Sequence, residues 1–94
     1  MIEWTEQAIR QLDHAHDYIA LSNSEKVASR ITMHIATSVQ RLAMFPMSGR
    51  PGRVAGTREL VISNTPFIVA YAVEDDRVVV LAVYHGAKQW PEEF

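Results

Sequence analysis

The sequence has no cysteine. That excludes a disulfide scaffold, a thiolate metal site and a cysteine nucleophile together, and it fits a reducing compartment. There is no basic excess either: nine lysines and arginines stand against eleven acids, for a formal net charge of −2. A dedicated nucleic-acid binder carries a strong cationic surplus, because counterion release at phosphates drives its affinity. No stretch approaches the roughly 20 apolar residues that a bilayer span needs. The opening residues Met1-Ile2-Glu3-Trp4-Thr5-Glu6 place acids where a signal peptide places bases. The expectation is one soluble, unprocessed, cytoplasmic domain spanning residues 1–94.

What the chain does have is apolar content, at 48% of its residues. A domain this short buries only a modest fraction of its surface. Some of that apolar surface is therefore expected to remain exposed for a partner. The charge is also uneven. From Pro46 to Arg58 there are three arginines, Arg50, Arg53 and Arg58, and no acid. A solvated loop and an anion- or partner-binding element are equally good accounts of that stretch.

Periodicity divides the chain into elements. Ile2 and Trp4 suit a short strand. Ala8, Ile9, Leu12, Ala15, Ile19 and Ala20 then recur at helical spacing, with Thr5 as N-cap. Ser22 and Glu25 have the spacing of a capping box, which would begin a second helix carrying Val27, Ile31, Ile35, Val39 and Leu42 and closed by Pro46. Met47 to Gly56 reads as a loop. Thr57 to Ser63, Phe67 to Val73 and Val78 to Tyr84 read as three strands, joined by turns at Asn64-Thr65-Pro66 and Glu74 to Arg77. The predicted fold is α+β in the order β-α-α-β-β-β, a helical hairpin packed on an antiparallel sheet.

Four motifs in the second half resemble the RelE/ParE superfamily, and the ParE-type toxins in particular. Pro46-Met47-Ser48-Gly49-Arg50 is similar to its "P-x-x-G-R" loop, and Gly56-Thr57-Arg58-Glu59-Leu60 to its "G-x-R-E-L" strand. Ile68 to Val73 is similar to its "I/V-x-Y-x-V" strand. Val83-Tyr84-His85-Gly86-Ala87-Lys88-Gln89-Trp90-Pro91 is similar to the ParE ending "V-x-H-G-A-R-x-W-P". The resemblance implies the toxin of a type II toxin–antitoxin pair, of the kind associated with plasmid stabilization. It would poison DNA gyrase by binding, touch DNA only through gyrase or its antitoxin, and assemble with a ParD-like antitoxin. The alternative is a RelE-like mRNA endoribonuclease. That branch commonly carries an arginine before "L-V-Y" in the second long strand, where this chain has Ile68. A chain that retains only antitoxin binding is a third reading.

The candidate target-binding residues are Arg50, Arg53 and Arg58 on the loop and strand, with His85, Lys88 and Trp90 at the tail. His85 also suits acid–base work, although a strand-capping role explains it better. Tyr71 is expected in the core with its hydroxyl at an edge. Arg58 and Glu59, adjacent on a strand, must point to opposite faces, so one is free to bridge to a helix while the other faces a partner. His14 and His16, two apart on a helix, do not converge on a metal, and His34 suits the edge of the core. No metal, cofactor or catalytic residue is predicted.

Overall fold

In the computed structural model, which describes residues 1–86, Thr5 starts the first helix as expected. Its side-chain oxygen accepts the Ala8 N–H at 3.1 Å, and its hydroxyl donates to the Leu81 carbonyl at 3.3 Å. The cap thus fastens α1 (Glu6–Ser22) to the sheet at its first residue. The second helix, α2 (Glu25–Gln40), is capped by Ser24, whose oxygen accepts the Val27 N–H at 3.1 Å. This corrects the expected Ser22–Glu25 box. α1 runs to Ser22, whose hydroxyl turns back to the Tyr18 carbonyl at 2.8 Å and is spent there. Glu25 instead meets His16 across the hairpin at 3.1 Å. A 3-10 turn at Arg41–Ala43 follows α2, so the helix ends before Pro46.

The sheet contains β1 (Ile2–Trp4), β2 (Arg50–Pro51), β3 (Arg58–Val61), β4 (Phe67–Glu74) and β5 (Arg77–His85). Their order across the sheet is β1-β5-β4-β3-β2. β3, β4 and β5 form the expected antiparallel meander, with Leu60 opposite Val69 and Val69 opposite Val83. Two features go beyond the expectation. β1 pairs parallel to β5, Ile2 opposite Val78, which makes the sheet mixed. Two residues of the presumed loop, Arg50 and Pro51, pair with Glu59 and Arg58 as a short edge strand. The turns use Asn64 at φ 62° and Asp75 at φ 55°, residue types that tolerate the left-handed region.

The helices cover one face of this sheet. Ile35, Val39, Leu42, Ile62, Val69, Tyr71 and Val80 are essentially solvent-free and form the centre of the core. Each fully buried Val, Ile or Leu contributes about 1.5–3 kcal/mol relative to exposure. Ile35 belongs to this core, Leu12 packs at its edge, and Ile9 remains 47% exposed. A bulge at Ala70/Tyr71 puts Ala70 opposite Ala82 and Tyr71 opposite Val80. Ala70 and Ala82, on the face away from the helices, are also fully buried, so the middle of the apolar hairpin is covered on both sides. His34 sits at the core edge as expected, its Nε2 2.9 Å from the Ser63 carbonyl.

Candidate functional site

The arginine-bearing loop is held from beneath by the core. The Tyr71 hydroxyl donates to the Pro46 carbonyl at 2.8 Å and accepts the Gly49 N–H at 2.9 Å. Gly49 is buried, and a Cβ there would lie 2.5 Å from the Tyr71 oxygen and 2.8 Å from the Glu59 carbonyl, so the backbone approach requires glycine. Arg58 completes the attachment: its Nη1 donates to the Gly49 carbonyl at 2.7 Å and reaches the Met47 carbonyl at 3.4 Å. Arg58 therefore bridges to the loop rather than to a helix.

Glu59, next along β3, points to the opposite face. Among the described residues it is the one buried acid, 5% exposed, and its carboxylate accepts from Arg50 Nε at 2.7 Å. Beside this ion pair lies a cleft of about 370 Å³, walled by Arg50, Arg53, Glu59, Ile68 and Tyr84, with backbone of Gly52 and Gly86 at its rim. Ile68 and Tyr84 are register partners in the β4–β5 ladder, which explains why they share this face. Burial pushes the Tyr84 hydroxyl well above the ordinary tyrosine range. The Glu59 carboxylate adds to the shift, and Arg50 and Arg53 oppose it. Tyr84 therefore keeps its proton at neutral pH and supplies no base.

The candidate residues separate accordingly. Arg50 and Arg53 converge on the cleft. Arg58 holds the loop backbone from the other face. His85 neighbours Tyr84 on β5 and so faces the helix side, where its ring lies edge-on to Phe67 with centroids 5.7 Å apart. Lys88 and Trp90 lie outside the described residues. His16 is engaged with Glu25, and no group of metal-ligating side chains converges among the described residues. The brace between Tyr71 and Gly49 was not legible as a contact. Its only trace in the sequence is a glycine immediately before the first loop arginine.

Charge is also sorted in space. Lys26 to Val73, which forms α2, the loop, β3 and β4, contains six bases and the single acid Glu59. The other eight acids among the described residues lie on β1, α1, the first residue of α2, the last residue of β4 and the β4–β5 turn, with Arg10 and Arg77. Arg77 bonds Glu3 at 3.0 Å and Glu74 at 2.9 Å, which draws part of the acidic set together at the β1 edge. A small net charge thus conceals a cationic edge at β2–β3.

The helical hairpin on one face of this five-stranded sheet is a fold already seen in a solved structure. A chain of the chromosomal ParDE TA system from P. aeruginosa superposes with a TM-score of 0.82 over 89% of this chain and 92% of that one, at 24% identity. Sequence carries the relationship further. The family described as ParE toxin of type II toxin-antitoxin system, parDE, matches residues 2–90. The putative toxin Y4kP of Sinorhizobium fredii is 43% identical over 91 residues, covering 97% of this chain and 93% of that protein. Toxin RelE2 of Caulobacter vibrioides is 32% identical over 87 residues, covering 93% and 96%. The chain belongs to the ParE toxin family.

Proposed function

We propose that this ParE-family toxin arrests growth by binding and poisoning DNA gyrase, and that a ParD-like antitoxin neutralises it. The observation that carries this reading is the composition of the cleft. Cleavage of RNA needs a base for the 2′-hydroxyl and an acid for the leaving oxygen, with a cation near the phosphate. Here Ile68 is apolar, the Glu59 carboxylate is engaged by Arg50, Tyr84 holds its proton and His85 lies across the sheet. What the face offers is two arginines on a braced loop, suited to attracting an acidic or DNA-bound surface. Arg53 and Arg50 would make that contact, and Lys88 and Trp90 are further candidates.

The antitoxin reading is supported by exposed apolar side chains. Tyr18, Leu21, Met33, Met44, Phe45 and Met47 are each more than 60% exposed. An amphipathic helix could bury such residues against its own apolar positions i, i+3, i+4 and i+7. Purified toxin tested in a gyrase supercoiling assay, and in parallel with mRNA and translating ribosomes, decides between the two target classes. Inhibition of supercoiling without RNA cleavage is the expected result. Specific mRNA cleavage, abolished in His85→Ala, would replace the proposal. The role of the loop is tested by a neutral variant combining Arg50→Ala, Arg53→Ala and Glu59→Gln, which removes the cations without leaving a lone buried carboxylate. It should bind antitoxin and fail to arrest growth.

A further inference from the structure

We infer that Tyr71 is a positioning residue for toxicity: from within the core, its hydroxyl sets the loop conformation in which Arg50 and Arg53 are presented to the target. The inference rests on the proposed role of those arginines. Tyr71 is fully buried on the helix side of β4, opposite Arg58 in the ladder. Its ring fills core space, but both hydrogen bonds of its hydroxyl go to the loop, to Pro46 and Gly49. A phenol has one proton to give. That proton goes to the Pro46 carbonyl, and the oxygen then receives the Gly49 N–H, so one atom fixes two points three residues apart.

Arg58 takes the remaining polar group of Gly49, its carbonyl. Both backbone groups of Gly49 are thus held by side chains rooted in neighbouring strands. The next residue is Arg50, which crosses to the other face and meets Glu59. Beyond it, Gly52 N–H donates to the Thr57 carbonyl at 2.8 Å, and the Thr57 hydroxyl donates to Val54 at 2.6 Å. Arg53 is therefore carried on backbone pinned on both sides. An arginine fixed in its bound geometry loses less freedom on binding, so the brace converts directly into affinity for the target.

Tyr71→Phe isolates the hydroxyl, because the ring and its packing are retained. The full chain carrying this change is compared with wild type and with Ile19→Ala, a truncation of a buried core residue of α1. Four quantities are read: melting temperature, antitoxin affinity, growth arrest at matched protein level, and the rate of trypsin cleavage after Arg53. The Arg50–Pro51 bond resists trypsin, so cleavage at Arg53 reports loop opening specifically. Tyr71→Phe is expected to raise that rate about tenfold and weaken growth arrest about tenfold, with antitoxin affinity retained. Ile19→Ala is expected to melt lower without either effect. Wild-type cleavage and toxicity in Tyr71→Phe would overturn the inference, as would equal losses in Ile19→Ala.

Should Tyr71→Phe fail to fold, Arg58→Lys addresses the same brace from β3, keeping charge while shortening the reach to Gly49. It is expected to show the same two effects in smaller degree, and wild-type behaviour in it would overturn the inference. The neutral loop variant separates the two levels of argument. If it is inactive while Tyr71→Phe is fully toxic, only the positioning role fails. If the neutral variant remains fully toxic, the reading of the loop fails and the inference with it.

Discussion

Arg50 is the exposed half of an ion pair whose other half is buried, and its removal tests the electrostatics of the loop directly. The Arg50 side chain is 59% exposed and that of Glu59 only 6%, with 2.7 Å between nitrogen and oxygen. Breaking a fully buried pair by deleting one partner costs about 3–5 kcal/mol, because a lone charge is left in the interior. Arg50 is more than half in water, so solvent screens part of that interaction. The expected cost of Arg50→Ala is therefore about 2 kcal/mol. For a domain of this size that lowers the melting temperature by roughly 8–16 °C. Glu59→Gln alone should cost about 1 kcal/mol, since it removes the charge and leaves a hydrated arginine. The double variant should recover about half of the loss of Arg50→Ala, giving a coupling of about 2 kcal/mol. Thermal melts of the four proteins measure this. A melting temperature for Arg50→Ala within about 2 °C of wild type would refute the reasoning, as would a double variant less stable than Arg50→Ala.

Three further outcomes are expected. Gly49→Ala should destabilise by about 1–3 kcal/mol, because its Cβ meets the Tyr71 hydroxyl and the Glu59 carbonyl; a denaturant midpoint equal to wild type would contradict the close approach. Arg58→Ala should lose stability and toxicity together, whereas Arg53→Ala, at an exposed position, should change stability by less than about 0.5 kcal/mol and mainly weaken growth arrest. Because Tyr84 holds its proton more tightly folded than unfolded, its contribution is constant below its ordinary pKa of 10.0 and is lost as pH rises above it. Urea melts between neutral pH and strong alkali should therefore show a decline that begins near that value and is shallower in Tyr84→Phe.

Much of the fold was legible because its elements obey local rules. Thr5 caps α1 through a bond to a residue three positions on, and helical spacing placed Ile35 and Val39 in the core. The Ser22–Glu25 box failed because Ser24 offers the same chemistry two residues later, and the competition was decided by Ser22 bonding back into α1. β2 was hidden because its two residues lie between glycines and one is a proline; only its partners Glu59 and Arg58 make it a strand. At the site, composition exposed the arginines but not their allegiances. Arg50, Arg53 and Arg58 look alike in sequence. One pairs with a buried acid, another lines the cleft, and the third holds a backbone carbonyl. Those distinctions arise from the alternation of faces along β3 and from the ladder register, which no local pattern encodes. The separation of His85 from Tyr84 has the same origin.

The parallel pairing of β1 with β5 has a consequence for the timing of toxin production. Thr5 and Leu81, joined by a hydrogen bond, are 76 residues apart. β1 lies at one edge of the sheet with β5 as its neighbour, so it finds no place until β5 has been made. At ~5–20 residues per second, synthesis separates the two strands by roughly 4–15 s. During that interval β5, with which β1 pairs and to which the cap of α1 is bonded, is missing. Dependence on contacts this distant slows folding. A nascent toxin therefore passes through a period in which its apolar helix faces are accessible while the domain is incomplete. An antitoxin present at that time would meet a chain still assembling rather than a finished domain.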